Sequence, residues 1–143
     1  MIWATIITDA SFCHKTGNAG WAAWIRIDGI DGPIRRYGSF KEKIKTSTEA
    51  EKLAAANGLF IAQKMGATGF LIQTDCMAVV HLVKGFTKKK HLNDDWAKIM
   101  LTCGVLGKPI YAKHVKGHSK TKDARSYANR WCDKMANDAR KNL

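Results

Sequence analysis

The sequence predicts an α/β fold: a five-stranded mixed sheet, three strands in an antiparallel meander and two more in parallel, flanked by helices. Two observations carry that expectation. The periodic segments follow the order strand, strand, strand, helix, strand, helix, helix, strand, helix, and strands followed by helix–strand units give a mixed sheet with helices packed over it. The length of 143 residues suits one domain spanning 1–143, which buries roughly 70% of its unfolded surface and needs no disulfide or metal to fold.

Residues 2–8 form a short, apolar, β-branched run, the pattern of a buried strand. The turn-rich Lys15-Thr16-Gly17-Asn18-Ala19-Gly20 leads to a second strand over 21–27. Asp28-Gly29-Ile30-Asp31-Gly32-Pro33 is a turn signal, and 34–40 is the third strand. Thr46-Ser47-Thr48-Glu49 then supplies capping and early acidic residues for a helix that runs through Lys64 and stops at Gly66. Residues 69–74 are a fourth strand, and a short helix over 76–84 closes at Gly85. A further helix over 94–103, a fifth strand over 110–114, a basic loop over 116–122 and a terminal helix over 124–142 complete the chain. The fourth and fifth strands join in parallel through right-handed crossovers.

Hydrophobic residues make up 45% and charged residues 25%, globular values that exclude disorder. No apolar run approaches the roughly 20 residues that span a bilayer, and the start lacks the basic and apolar regions of a signal peptide. A cytoplasmic protein without a membrane partner is expected. The four cysteines, Cys13, Cys76, Cys103 and Cys132, form no close pair, so free thiols are expected rather than a zinc or redox motif. The net charge is +12 and unevenly spread. Residues 1–83 carry 9 Lys+Arg and 7 Asp+Glu, a net of +2, whereas 84–143 carry 15 and 5, a net of +10. Such asymmetry points to a polyanion or to a solvated basic surface.

Against that charge a few acids stand out. Asp9 and Asp75 each follow an apolar strand, where a carboxylate is costly to desolvate unless paired. Taken singly, each could cap a turn. The crevice beyond the carboxyl ends of parallel strands is the usual ligand site. If the first and fourth strands are parallel neighbours, the two aspartates meet there, and like charges favour a shared proton or bound cations. Glu51 lies among Ala50, Leu53, Ala54 and Ala55, small enough neighbours to bring an acid close to a sheet. Asn129 and Asp133, four apart, project from one helical face. Carboxylates without a Cys/His cluster suit a hard cation such as magnesium or manganese. Four of them match a pair of ions about 4 Å apart that clamp a phosphodiester.

Six segments, in order, carry a resemblance: Thr8-Asp9-Ala10-Ser11, Gly20-Trp21-Ala22-Ala23-Trp24, Ala50-Glu51 with Leu53-Ala54-Ala55, Thr74-Asp75, His114-Val115-Lys116-Gly117-His118-Ser119 and Asn129-Arg130-Trp131-Cys132-Asp133. The set spans nearly the whole chain and resembles the type 1 ribonucleases H. The resemblance implies the ribonuclease H-like fold and hydrolysis of the RNA strand of RNA–DNA hybrids, giving 5′-phosphate and 3′-hydroxyl ends. It implies that Asp9, Glu51, Asp75 and Asp133 hold two Mg2+ ions, with Mn2+ as a substitute. Glu51 is preferred to nearby Glu49 because Leu53-Ala54-Ala55 follows it as the motif requires. His118, with a histidine's ordinary pKa of about 6.5, would transfer a proton or aid product release. Ser11, Asn18, Thr46, Lys116 and Asn129 would contact the hybrid: Ser11 at the 2′-hydroxyls, Thr46 at a DNA-strand phosphate. Lys120 and Lys122 flank the same edge, so binding should weaken with salt. A monomer is expected.

Some residues depart from the family pattern. Ala10 replaces the usual Gly, and Thr48 and Met77 stand where amides commonly contact the hybrid. Lys88, Lys89 and Lys90 are either a reduced basic handle for substrate or a solvated charge run. The alternatives are the same fold acting on another nucleic acid, such as a DNA junction, and a non-catalytic hybrid-binding module. The Val115-Lys116-Gly117-His118 loop and the Asn129/Asp133 helix argue against the first. A repulsive acid cluster beside a polyanion argues against the second.

Overall fold

The computed structural model describes residues 1–85, 90–115 and 123–143, with backbone alone for 90–93. In chain order the elements are β1 (Trp3–Phe12), β2 (Ala19–Ile27), β3 (Ile34–Ser39), α1 (Ser47–Lys64), β4 (Gly69–Thr74), α2 (Met77–Lys84), α3 (Lys90–Thr102), β5 (Ile110–His114) and α4 (Ala124–Lys141). The strands make one sheet in the order β3-β2-β1-β4-β5. β2 is antiparallel to both β1 and β3, and β4 is parallel to both β1 and β5. The expected meander and parallel strands are therefore present, with β1 at the centre.

That central place explains why β1 carries apolar side chains on both faces, at Ile6 and Ile7. Successive strand side chains face opposite sides, and both sides are covered. Ile6 packs with Ile25, Leu59, Phe70 and Ile72 in the core beneath α1. Ile7 packs with Trp24, Ala128, Cys132 and Ala136 beneath α4. Burying a side chain the size of Leu59 or Phe70 stabilises the fold by roughly 1.5–3 kcal/mol.

Both helices sit very close to the sheet, for a reason written in small residues. The buried face of α1 carries Ala50, Ala54, Ala55, Gly58 and Ala62 beside Leu59. A Cβ on Gly58 would stand 2.6 Å from Ile6 Cγ2. On the other side, a Cβ on Gly20 in β2 would strike the Ala136 carbonyl and come within 2.7 Å of the Arg140 backbone nitrogen. The two helices start at side-chain caps. Thr46 Oγ1 accepts from the Glu49 N–H at 3.1 Å for α1, and Asp123 Oδ1 accepts from the Ser126 N–H at 2.8 Å for α4.

Three boundaries differ from the sequence expectation by more than one residue. β1 does not end before Asp9 but runs to Phe12, so Asp9 lies within a strand. The cause is pairing. The β1–β4 ladder stops at Ile7↔Gln73, while the β1–β2 ladder continues through Asp9↔Ala22 to Phe12↔Ala19. The same ladder starts β2 at Ala19. Helix α3 starts at Lys90 rather than 94; Lys88 and Lys89 lie outside the described residues, as does the Lys90 side chain. Among the described residues no helix is long and apolar enough to cross a membrane.

Gly20→Ala should lower stability by about 1–3 kcal/mol, because backbone rather than a flexible side chain occupies the space. Urea denaturation measures it, and an unchanged midpoint would mean that α4 moves away at little cost.

Candidate active site

The site forms where β1 parts from β4. Continuing the parallel register two residues beyond Ile7↔Gln73 sets Asp9 opposite Asp75. Thr74 is buried, and its Oγ1 accepts from the Cys76 N–H at 3.1 Å. That contact turns the chain sharply between β4 and α2 and leaves Asp75 at the corner. Glu51 enters from α1, one turn after the Thr46 cap, on a helix whose alanines let it lie low over the sheet. Asp9, Glu51 and Asp75 each bring a carboxylate oxygen within 4.8 Å of the others. The Ala10 N–H donates to Asp9 Oδ1 at 2.9 Å and more weakly to Glu51 Oε1 at 3.3 Å. Asp133 stands outside that trio on α4, near enough for its charge to act on Asp9.

Burial and mutual repulsion hold protons on this cluster. Burial, then the charges of Asp75 and Asp133, push the Asp9 carboxyl up from 3.8 to about 7. Burial, then Asp9 and Asp75, push Glu51 up from 4.5 to about 9. Glu51 Oε2 is buried and has no hydrogen-bond partner among the described residues, an orphan that a structure normally avoids. An unpartnered carboxylate oxygen among close acids fits a hard divalent cation, which takes oxygen ligands and removes the repulsion. Asp9, Glu51 and Asp75 would hold it, with Asp133 at the rim.

The remaining candidates fall in several places. Glu49 lies at the first turn of α1, where its backbone N–H meets the Thr46 cap; Glu51 is the glutamate that stands with Asp9 and Asp75. Asn129 shares the Asp133 face of α4, and its Nδ2 is buried without a hydrogen-bond partner among the described residues. Thr46 is exposed, and its hydroxyl keeps a proton free to donate while it caps α1. Asn18 lies between β1 and β2, where its Oδ1 accepts from Lys43 Nζ. Ser11 is close to the C-terminal half of α4. Lys116 and His118, together with Lys120 and Lys122, lie outside the described residues.

Two residues at this site escape the sequence reading. Asn137 Nδ2 donates to Asp133 Oδ1 at 3.4 Å, and Arg140 Nε donates to Ser11 Oγ at 2.6 Å. For Asn137 a signal existed: 129, 133 and 137 are four apart and share a helix face. Nothing local marks Arg140, since its partner is 129 residues away.

A family model described as RNase H matches residues 3–141. No curated protein matches the sequence. Solved structures do resemble the fold. The N-terminal RNase H domain of a Mycobacterium tuberculosis protein, solved fused to maltose-binding protein, has a TM-score of 0.76 at 22% identity, covering 99% of this chain and 96% of that one. RNase H1 from the halophilic archaeon Halobacterium salinarum has 0.73 at 17%, covering 99% of both chains. The LC11 RNase H1, isolated from compost and solved in complex with an RNA/DNA hybrid, has 0.71 at 17%, covering 97% of both. At these identities the likeness is one of fold.

The raised carboxyl values fix the sign of a pH effect. Asp9 and Glu51 bind protons more tightly folded than unfolded, so the stability they contribute is full below about 4. It is lost as pH rises through about 7 for Asp9 and about 9 for Glu51. In chelator, the melting temperature should fall across this window. Glu51→Gln should raise it at pH 8 by about 3–5 °C, the shift of roughly 1 kcal/mol in a domain this size. Identical melting curves for the two proteins at pH 8 would contradict the assignment.

Proposed function

The chain belongs to the RNase H family, and from that premise we propose that it is an endonuclease hydrolysing the RNA strand of RNA–DNA hybrids, leaving 5′-phosphate and 3′-hydroxyl ends. The observation that carries this is the acid trio at the β1–β4 split, with its orphaned Glu51 oxygen, in a chain of net charge +12. The hybrid bound by the LC11 RNase H1 supports the choice of substrate.

Asp9, Glu51, Asp75 and Asp133 are the proposed ligands of two magnesium ions, with manganese as a substitute. Bound there, the pair would activate a water for attack and offset charge on the leaving 3′ oxygen. The chain's own residues do the rest. The Ala10 N–H braces Asp9 and Glu51 at a fixed separation. Asn129 offers a free buried amide to the substrate beside Asp133. Thr46 donates its hydroxyl proton to a DNA-strand phosphate, and Asn18 and Lys116 contact the nucleic-acid backbone. Ser11 meets a 2′-hydroxyl, the group that separates RNA from DNA. His118 carries a proton to or from the reacting oxygens. The span 1–143 acts as one catalytic domain, as a monomer in the cytoplasm, where free thiols such as Cys103 and Cys132 stay reduced.

With magnesium the protein should cleave the RNA of a labelled hybrid and leave duplex DNA intact; an uncut hybrid with either magnesium or manganese refutes the proposal. Asp75→Asn should abolish cleavage while hybrid binding persists, and normal turnover in that variant would remove Asp75 from the ligand set. His118→Ala should slow turnover by about 100-fold without ending it, as single-turnover kinetics would show.

A further inference from the structure

Around Asp133 three hydrogen bonds run in one direction. Arg140 Nε donates to Ser11 Oγ at 2.6 Å, Ser11 Oγ donates to Asn137 Oδ1 at 2.6 Å, and Asn137 Nδ2 donates to Asp133 Oδ1 at 3.4 Å. The chemistry of the two ends fixes every link. A guanidinium can only donate and an ionised carboxylate can only accept. Asn137 must therefore turn its NH2 to Asp133 and its carbonyl oxygen to Ser11. Ser11 must spend its single proton on Asn137 and accept from Arg140. The chain starts on a cation and ends on an anion, the arrangement in which successive hydrogen bonds polarise and strengthen one another.

The path also joins two different elements. Ser11 lies two residues beyond Asp9 on β1, so both side chains leave the same face of the strand. Asn137 and Arg140 lie one and two turns beyond Asp133 on α4. Ser11 pairs with Gly20 in the β1–β2 ladder, and the bare backbone of Gly20 lets the Ala136–Arg140 stretch come close enough for the links to form. The same contacts therefore set the spacing between the carriers of Asp9 and Asp133.

We propose that Arg140, Ser11 and Asn137 form a positioning relay that holds the Asp133 carboxylate for metal binding. None of the three touches the metal. A side effect concerns the substrate: with its proton committed to Asn137, the Ser11 hydroxyl can only accept, so it selects a group that donates, as a 2′-hydroxyl does.

The proposal rests on Asp133 being a metal ligand, and the test separates the two. Mn2+ binding to the hybrid-free protein is followed by the EPR signal of the free ion, beside thermal melts of each variant. Asn137→Ala should weaken Mn2+ binding by about 10-fold, the usual effect of removing an outer-shell partner, while melting cooperatively. Arg140→Ala should weaken it less. The double variant should bind no more weakly than Asn137→Ala alone, since both cut one chain. Unchanged Mn2+ affinity in folded Asn137→Ala, or losses that simply add in the double variant, would overturn the relay. If Asn137→Ala does not fold, Ser11→Ala cuts the same path and is read in the same way. An Asp133→Asn protein that binds Mn2+ as well as the wild type would instead remove the premise that Asp133 is a ligand, and the relay with it.

Discussion

Repulsion among half-buried carboxylates is the constraint around which the rest of this structure is arranged. Two unit charges about 4.8 Å apart, the outer limit of the Asp9–Glu51–Asp75 cluster, repel by about 3 kcal/mol at an effective dielectric of 20. Burial adds to that penalty. Among the described residues, one buried Glu51 oxygen has no hydrogen-bond partner, and protons remain on Asp9 and Glu51 well above their usual range. A divalent cation bound among Asp9, Glu51 and Asp75 would relieve that strain, because it would replace like-charge repulsion with attraction.

Holding acids together against their repulsion requires a stiff frame, and the frame is built by close approach. The β1–β4 register fixes Asp9 against Asp75. Gly58 and the alanines of α1 lower that helix until Glu51 reaches the Ala10 amide. Gly20 lowers α4 in the same way on the opposite face. The two cores beneath these helices, around Leu59 and around Trp24, hold the geometry in place. Exposed ion pairs such as Lys134–Asp138 at 3.0 Å contribute little by comparison.

The sequence makes visible what depends on local periodicity and hides what depends on distant pairing. The strand and helix order is legible because apolar spacing and capping residues such as Thr46 act within a few residues. Asp9 and Asp75 are legible because a charge after an apolar run is anomalous wherever it falls, and Glu51 because small residues surround it on its helix. That Asp9 sits inside a strand is not legible. The stretch 9–12, polar at Asp9 and Ser11, stays extended because β2 pairs with it after β4 has parted. Gly20 reads in sequence as part of a turn, yet its work is to admit a helix that begins a hundred residues later. Asn137 was within reach, one further step of the Asn129–Asp133 spacing, whereas Arg140 acquires its partner only through the folded β1–α4 contact.

Acids that repel one another and a chain that is basic as a whole serve the same end at different ranges. The cluster's charge acts over a few ångströms and is cancelled once a cation binds. The net +12 acts farther, to about a Debye length of 8 Å at physiological salt, and raises the local concentration of a polyanion. Their layouts match that division. The nearly neutral first 83 residues supply Asp9, Glu51 and Asp75. The strongly basic remainder supplies Asp133 on a helix that also bears Arg125, Arg130, Lys134, Arg140 and Lys141. Arg140 stands at the meeting of the two regimes. Its charge belongs to the basic excess, but its Nε–H is spent inside the site on Ser11, so one cation both adds to the basic field and ties β1 to α4 beside Asp133.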